Sequence, residues 1–216
     1  MHMCIGASLG GMKAMTATSG PGFILYMDPY GWALGCECPL VVLNSGRVGP
    51  VSGITGAPGQ GEFYLMRYPT QGGNFEAICL APNTAQECMA MTVEAFYLAE
   101  RFRMPVSVLA DQLITDGFED ISVPENDDEM KELGFRTWPR KIHQGPDFYP
   151  STDALDVAPV AMGYNTGALC SDWTPTEEGF DIEEVEAHHK HAYRLIYKVR
   201  NHRDIFNHHY EKKYMD

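Results

Sequence analysis

The chain has 216 residues, 44% of them hydrophobic, which is enough to bury a real core and argues against intrinsic disorder. Its 29 acidic against 16 basic residues leave a formal charge of −13, which speaks against nucleic acid or an anionic membrane as a partner, because both are held by basic surfaces. No apolar run reaches the roughly 18 residues that cross a bilayer, and the N-terminus lacks the charged-then-apolar layout of a secretory signal, so a cytoplasmic protein is expected.

Met1-His2-Met3 runs straight into Cys4-Ile5-Gly6-Ala7-Ser8, which reads as a helix already under way with no N-cap ahead of it. A piece of something longer is expected. From there to about Asp116, short β-rich runs alternate with helix-period segments, the βαβ pattern of an α/β fold with a parallel sheet flanked by helices. Strands are expected at Ala14 to Thr18, Pro39 to Asn44, Glu76 to Leu80 and Pro105 to Ala110. Leu40-Val41-Val42-Leu43 and Val106-Ser107-Val108-Leu109 are apolar enough to be buried on both faces. Helices are expected at Phe23 to Gly35, Gly61 to Tyr68 and Thr84 to Phe102; in the last, Cys88, Met91, Ala95 and Leu98 form a core-facing stripe, with Asn83 as cap and Glu87 in the first turns.

From Phe118 the sequence turns acidic, proline-rich and weakly periodic, as an excursion expected to hold a hairpin or cover a neighbouring subunit. Asp181 to about Asn207 is again helix-like, with Val185, Ala192, Ile196 and Val199 along one side. The expected division is thus a partial α/β domain over 1–118, an irregular extension of it over 119–180, and a linking helix over 181–216.

Six scattered cysteines (Cys4, Cys36, Cys38, Cys79, Cys88, Cys170) lack the Cys-x-x-Cys spacing of zinc or iron–sulfur sites and read as reduced core thiols. His188, His189, His191, His202, His208 and His209 share helical spacings, but with no His-Glu-x-x-His signature they read as exposed helix histidines. No metal site is expected on this chain.

Two segments read either as parts of a ligand site or as plain structure, the first as a tight strand-to-helix turn. In Thr18-Ser19-Gly20-Pro21-Gly22 a strand end, a bare loop and a helix start converge: the glycines allow close backbone approach, and Pro21 suits a first helical turn. Asn44 to Gly61 follows a buried strand and reads as a long glycine-rich loop at the strand's carboxyl end, where open α/β sheets bind ligands. Its one cation, Arg47, is either a partner for a substrate carboxylate or a solvent-exposed arginine. There is no P-loop and no dinucleotide fingerprint, which points to reactivity supplied by a cofactor.

Ala14-Met15-Thr16-Ala17-Thr18-Ser19-Gly20-Pro21-Gly22, Cys38 to Asn44, Arg47-Val48-Gly49-Pro50, Gly61-Glu62, Leu80-Ala81-Pro82, Thr92 to Glu100 and Pro105 to Gln112 together resemble, in order and spacing, the α subunit of 2-oxoacid:ferredoxin oxidoreductases. The resemblance is strong from about Cys4 to Asp116 and weaker beyond. It implies a pyrimidine-binding domain of a thiamine diphosphate enzyme, shared with a β subunit that holds the diphosphate through magnesium. It also implies iron–sulfur clusters on partner chains, ferredoxin as electron acceptor, coenzyme A as acyl acceptor, and an oligomer that can include γ and δ subunits. By the same match, Ser19, Gly20, Pro21, Gly49 and Pro50 line the cofactor, and Arg47, Ser52 and Thr55 the substrate. The family's loop reads Gly-Pro-Ser-Thr-Gly followed by Pro-Thr, whereas here it is Gly49-Pro50-Val51-Ser52-Gly53-Ile54-Thr55-Gly56, so the choice of 2-oxoacid does not carry over. The family's pyrimidine-activating glutamate falls upstream of Cys4, which implies a chain inactive by itself. A non-catalytic thiamine-type scaffold or assembly domain, or a small-carboxylate-binding module, are the alternatives.

Overall fold

The computed structural model describes residues 1–50, 52–73, 75–136, 174–175 and 181–205. A parallel sheet of four strands forms the frame, in the order β1 (Met15–Ser19), β2 (Leu40–Val48), β5 (Pro105–Asp111), β4 (Ile78–Leu80), with β3 (Ile54–Pro58) antiparallel on β2. The two central strands are the two apolar runs. Leu40, Val41 and Val42 are at most 1% exposed, and Val106, Ser107 and Val108 are fully buried. Since neighbouring side chains point to opposite faces, both faces of the sheet are covered.

The cover comes from α1 (His2–Leu9) against β2, α3 (Met27–Gly35) against β5, and α5 (Ala85–Phe102) against β5 and β2. The long helix α5 begins at a side-chain cap: the Thr84 hydroxyl accepts from the Glu87 amide, and the Glu87 carboxylate accepts from the amide of Asn83. The cap is therefore Thr84, and Asn83 sits one residue outside it. Ala95, Leu98, Ala99 and Phe102 lie buried, while Cys88 and Met91 are half-buried.

Three expected elements differ. The helix expected over Phe23 to Gly35 is two, α2 (Pro21–Ile24) and α3, broken at Leu25 and Tyr26. Pro29 explains the break. It lacks an amide hydrogen and its ring would clash with the carbonyl four residues back, at Leu25, so it fits only in the first turn of a new helix. The loop expected over Asn44 to Gly61 is largely a β-hairpin, because β2 continues to Val48 and β3 folds back on it. The last helix, α8 (Val185–Arg200), begins later than expected, because Asp181–Ile182 (β7) pairs antiparallel with Thr174–Pro175 (β6). Short helices α4 (Phe63–Arg67), α6 (Gln112–Thr115) and α7 (Asp127–Glu132) complete the described residues with a 3₁₀ turn at Arg203–Ile205. Most of the 119–180 extension, with Cys170, and His208 and His209 lie outside the described residues.

α8 is tied to the amino edge of β2 by a buried ionic cluster. Glu37, 1% exposed, accepts from Arg194 Nε and Lys198 Nζ, both at 2.9 Å, with Arg103 Nη2 at 3.6 Å. Burial alone would raise its carboxyl, but Arg194, Lys198 and Arg103 hold it well below the usual carboxylate range. His191, expected exposed, is buried against this cluster with Nε2 at 3.0 Å from the Gly35 carbonyl, and burial lowers its imidazole to about 4 despite nearby Glu37. Lys198 is likewise lowered by burial, to about 8.

Candidate functional site

Ser19 ends β1 beside Ser45 of β2, which itself pairs with Ala110 of β5, so three strands present their carboxyl ends together. Ligands in open α/β sheets bind at this edge. Gly20 turns the chain out of β1 with φ 52° and ψ −125°, a conformation that disfavours side chains, and Pro21 opens α2.

The second predicted segment meets the first here. The Arg47 guanidinium lies across Gly20: a Cβ on that glycine would stand 2.6 Å from Arg47 Nε and 2.9 Å from Nη2. Gly20 thus provides both the turn and the seat for the cation. Arg47 Nε is buried with no hydrogen-bond partner among the described residues. A buried guanidinium N–H lacking an acceptor suits an anionic group, which is what an incoming carboxylate provides. Gly49 and Pro50 stand in the exposed hairpin turn, closed by a bond from the Gly53 amide to the Pro50 carbonyl at 3.0 Å. Ser52 and Thr55 are exposed on the same hairpin, and the Thr55 carbonyl accepts from Gln112 Nε2 at 2.5 Å. The turn Ser19-Gly20-Pro21 and Arg47 are therefore gathered directly, whereas Gly49, Pro50, Ser52 and Thr55 belong to the hairpin's outer part.

Beside the hairpin a cavity of about 640 Å³ opens between the ends of β2, β4 and β5, lined by Gln60, Glu62, Phe63, Asn83, Asp111 and Leu113. A larger one, about 1030 Å³, lies where Gly35, Trp32 and Ile5 meet His188 and His191, beside the ionic cluster and away from the carboxyl edge. No group of three or more His, Cys, Asp or Glu side chains among the described residues is placed to hold a metal ion.

The profile of the pyruvate flavodoxin/ferredoxin oxidoreductase, thiamine diphosphate-binding family matches residues 1–191. The chain belongs to this family. It is 34% identical over 203 residues to the 2-oxoglutarate synthase subunit KorA of Methanothermobacter thermautotrophicus, a match covering 93% of this chain and 52% of the relative. The KorA subunit of Methanocaldococcus jannaschii is 35% identical over 201 residues, with coverages of 93% and 53%. The ketoisovalerate oxidoreductase subunit VorB of Methanothermobacter marburgensis is 37% identical over 125 residues, with 58% and 35%. The chain thus spans about half the length of the KorA relatives it matches. Among solved structures, the 2-oxoglutarate:ferredoxin oxidoreductase of Magnetococcus marinus, with 2-oxoglutarate, coenzyme A and succinyl-CoA bound, superposes with a TM-score of 0.75 at 26% identity, covering 100% of this chain and 37% of that one.

In this domain the bare Gly20 turn leaves the backbone open to close approach, and Arg47 Nε offers a buried donor without an acceptor among the described residues. Two polar residues at the same edge were not singled out by sequence as site residues, Glu62 and Gln112. Each is 8% exposed. The signals were present, as an acid directly ahead of a helix and an amide directly after a buried strand, but neither pattern by itself distinguishes a buried anchor from a surface residue.

Proposed function

We propose that the chain is part of the α subunit of a 2-oxoacid:ferredoxin oxidoreductase that acts on 2-oxoglutarate. The observation that carries this reading is the Arg47 guanidinium seated on Gly20 at the carboxyl edge of β1 and β2, with its buried Nε unpaired among the described residues. 2-Oxoglutarate is favoured as substrate because three KorA relatives match over 93% of the chain and a fourth is 43% identical over 120 residues, while the VorB matches are 37% identical over 125 residues.

In this reading Arg47 receives the carboxylate of the 2-oxoacid and fixes its orientation, a role suited to a planar, permanently charged donor. Ser52 and Thr55 face the substrate from the hairpin. Ser19, Gly20 and Pro21, with Gly49 and Pro50, form the wall against the aminopyrimidine end of thiamine diphosphate. When bound, that cofactor supplies the carbon nucleophile for the 2-oxo carbon. The balanced reaction converts 2-oxoglutarate, coenzyme A and two oxidised ferredoxins to succinyl-CoA, carbon dioxide, a proton and two reduced ferredoxins. Magnesium and the iron–sulfur clusters belong to partner chains, a β subunit first and γ and δ subunits where the assembly includes them.

The test is acceptor reduction by the chain assembled with its partner subunits, comparing 2-oxoglutarate, pyruvate and 2-oxoisovalerate with coenzyme A and thiamine diphosphate. Turnover highest with 2-oxoglutarate, and lost when either thiamine diphosphate or coenzyme A is omitted, is expected. Turnover indifferent to thiamine diphosphate would refute the reading.

A further inference from the structure

The hairpin that carries Arg47 is poorly fastened by its own backbone. Opposite Arg47 stands Pro58, which has no amide hydrogen to give, and the register slips between Arg47 and Val48. Something else must hold the base of the hairpin in place.

The chain just beyond β3 supplies it. At Gly59 a Cβ would lie 2.7 Å from the Arg47 carbonyl carbon and the Val48 nitrogen, so this segment lies directly on the backbone that carries Arg47. Three residues on, Glu62 takes the N-cap position of α4, yet its side chain makes no capping bond to that helix. Its carboxylate turns back into the protein and accepts a hydrogen bond from Asn44 Nδ2 of β2. Asn44 is fully buried and Glu62 is 8% exposed. Fully buried Asn44 has no water as a substitute partner, so losing the Glu62 acceptor costs more than losing a surface contact. The bond closes a ring: β2 from Asn44 to Arg47, across to Pro58, through Gly59 and back by way of Glu62. A second anchor holds the other end, where Gln112 Nε2 donates to the Thr55 carbonyl at 2.5 Å and to Asp116 Oδ2 at 2.8 Å.

We infer that Glu62 is a positioning residue, with Gln112 as a second anchor: bonded to Asn44, it closes the β2–β3 hairpin and keeps the Arg47 guanidinium over Gly20 for the substrate carboxylate. This rests on the reading of Arg47 as the carboxylate-binding group. Glu62 acts through the backbone and needs no contact with the substrate.

The experiment uses the chain assembled with its partner subunits. It measures the equilibrium Kd for 2-oxoglutarate without coenzyme A or electron acceptor, steady-state KM and kcat, and hydrogen exchange of the hairpin amides at 54–57. Glu62→Ala raises Kd and KM about tenfold, the scale of one lost buried hydrogen bond, while kcat moves less than about twofold and the hairpin amides exchange faster. Glu62→Gln, which keeps an acceptor for Asn44, recovers Kd to within about twofold of the unmodified enzyme. Gln112→Met, similar in size but without the donor, gives the same split to a smaller extent, and it carries the test should Glu62→Ala fail to assemble. An unchanged Kd in both Glu62→Ala and Gln112→Met, or in the latter alone where the former does not assemble, overturns the inference; so does a Glu62→Gln enzyme as weak as Glu62→Ala. Arg47→Ala separates the two levels: if it binds 2-oxoglutarate normally, the reading of Arg47 fails, and if it alone binds weakly, only the positioning role fails.

Discussion

Gly20 shows how one missing side chain can serve two purposes. Its φ of 52° lets β1 turn sharply into α2, and its bare Cα is where the Arg47 guanidinium rests. Gly20→Ala sets a Cβ 2.6 Å from Arg47 Nε and forces a side chain into a disfavoured backbone region, at a cost on the order of 1–3 kcal/mol. The guanidinium is the softer partner and shifts. Calorimetry on the assembled enzyme is expected to show 2-oxoglutarate binding weakened about tenfold, with a lower Tm; binding at full strength would mean that the seat is not needed. The sequence made both partners of this contact legible, because a glycine-proline turn after a strand and a lone arginine in a stretch of small residues are local patterns. It did not make their meeting legible, since that depends on the parallel pairing of β1 with β2. Glu37 is harder still to read. It lies between two cysteines, and Arg194, which pairs with it, is 157 positions away.

Among the elements, those with strong local signals came out as expected and those shaped by neighbours did not. α5 carries its own threonine cap and apolar stripe, and its bounds follow them. Thr84→Ala removes the cap and is expected to lower stability by about 1 kcal/mol in denaturant unfolding; no loss would show that the Glu87 contact suffices. β3 is the opposite case. Its Ile54-Thr55-Gly56-Ala57-Pro58 has little alternation, so it reads as loop and becomes a strand only because β2 extends beside it. α8 adds a pH dependence. His191 titrates at about 4 in the folded chain and ordinarily near 6.5, so between these values the unfolded chain binds a proton that the folded chain refuses. Stability therefore falls as pH drops from 6.5 towards 4, by up to about 3 kcal/mol from this group. Glu37, held below its ordinary range, adds stability above about 4.3 that is lost as pH falls further. His191→Gln keeps a donor for the Gly35 carbonyl and removes the titration, so unfolding measured across this window should show a flatter slope. An unchanged slope would assign the acid sensitivity elsewhere.

At the scale of the molecule, the described residues divide the work between the two edges of one sheet. The amino edge of β2 holds the Glu37 cluster and secures α8, while the carboxyl edge holds Gly20, Arg47 and the hairpin. At the carboxyl edge the Arg47 Nε has no hydrogen-bond partner among the described residues. The apolar runs of β2 and β5 made this frame legible from sequence, and the ordered series of short motifs indicated the family. The distribution of roles between edges emerged only from the topology. The measurement that bears most directly on the assignment is kcat/KM for 2-oxoglutarate in the assembled enzyme carrying Arg47→Ala or Arg47→Lys. A planar guanidinium bound to the substrate carboxylate predicts a loss of about 100-fold for alanine, the worth of one or two charge-assisted hydrogen bonds, with lysine recovering part of it. An Arg47→Ala enzyme with unaltered kcat/KM would contradict it.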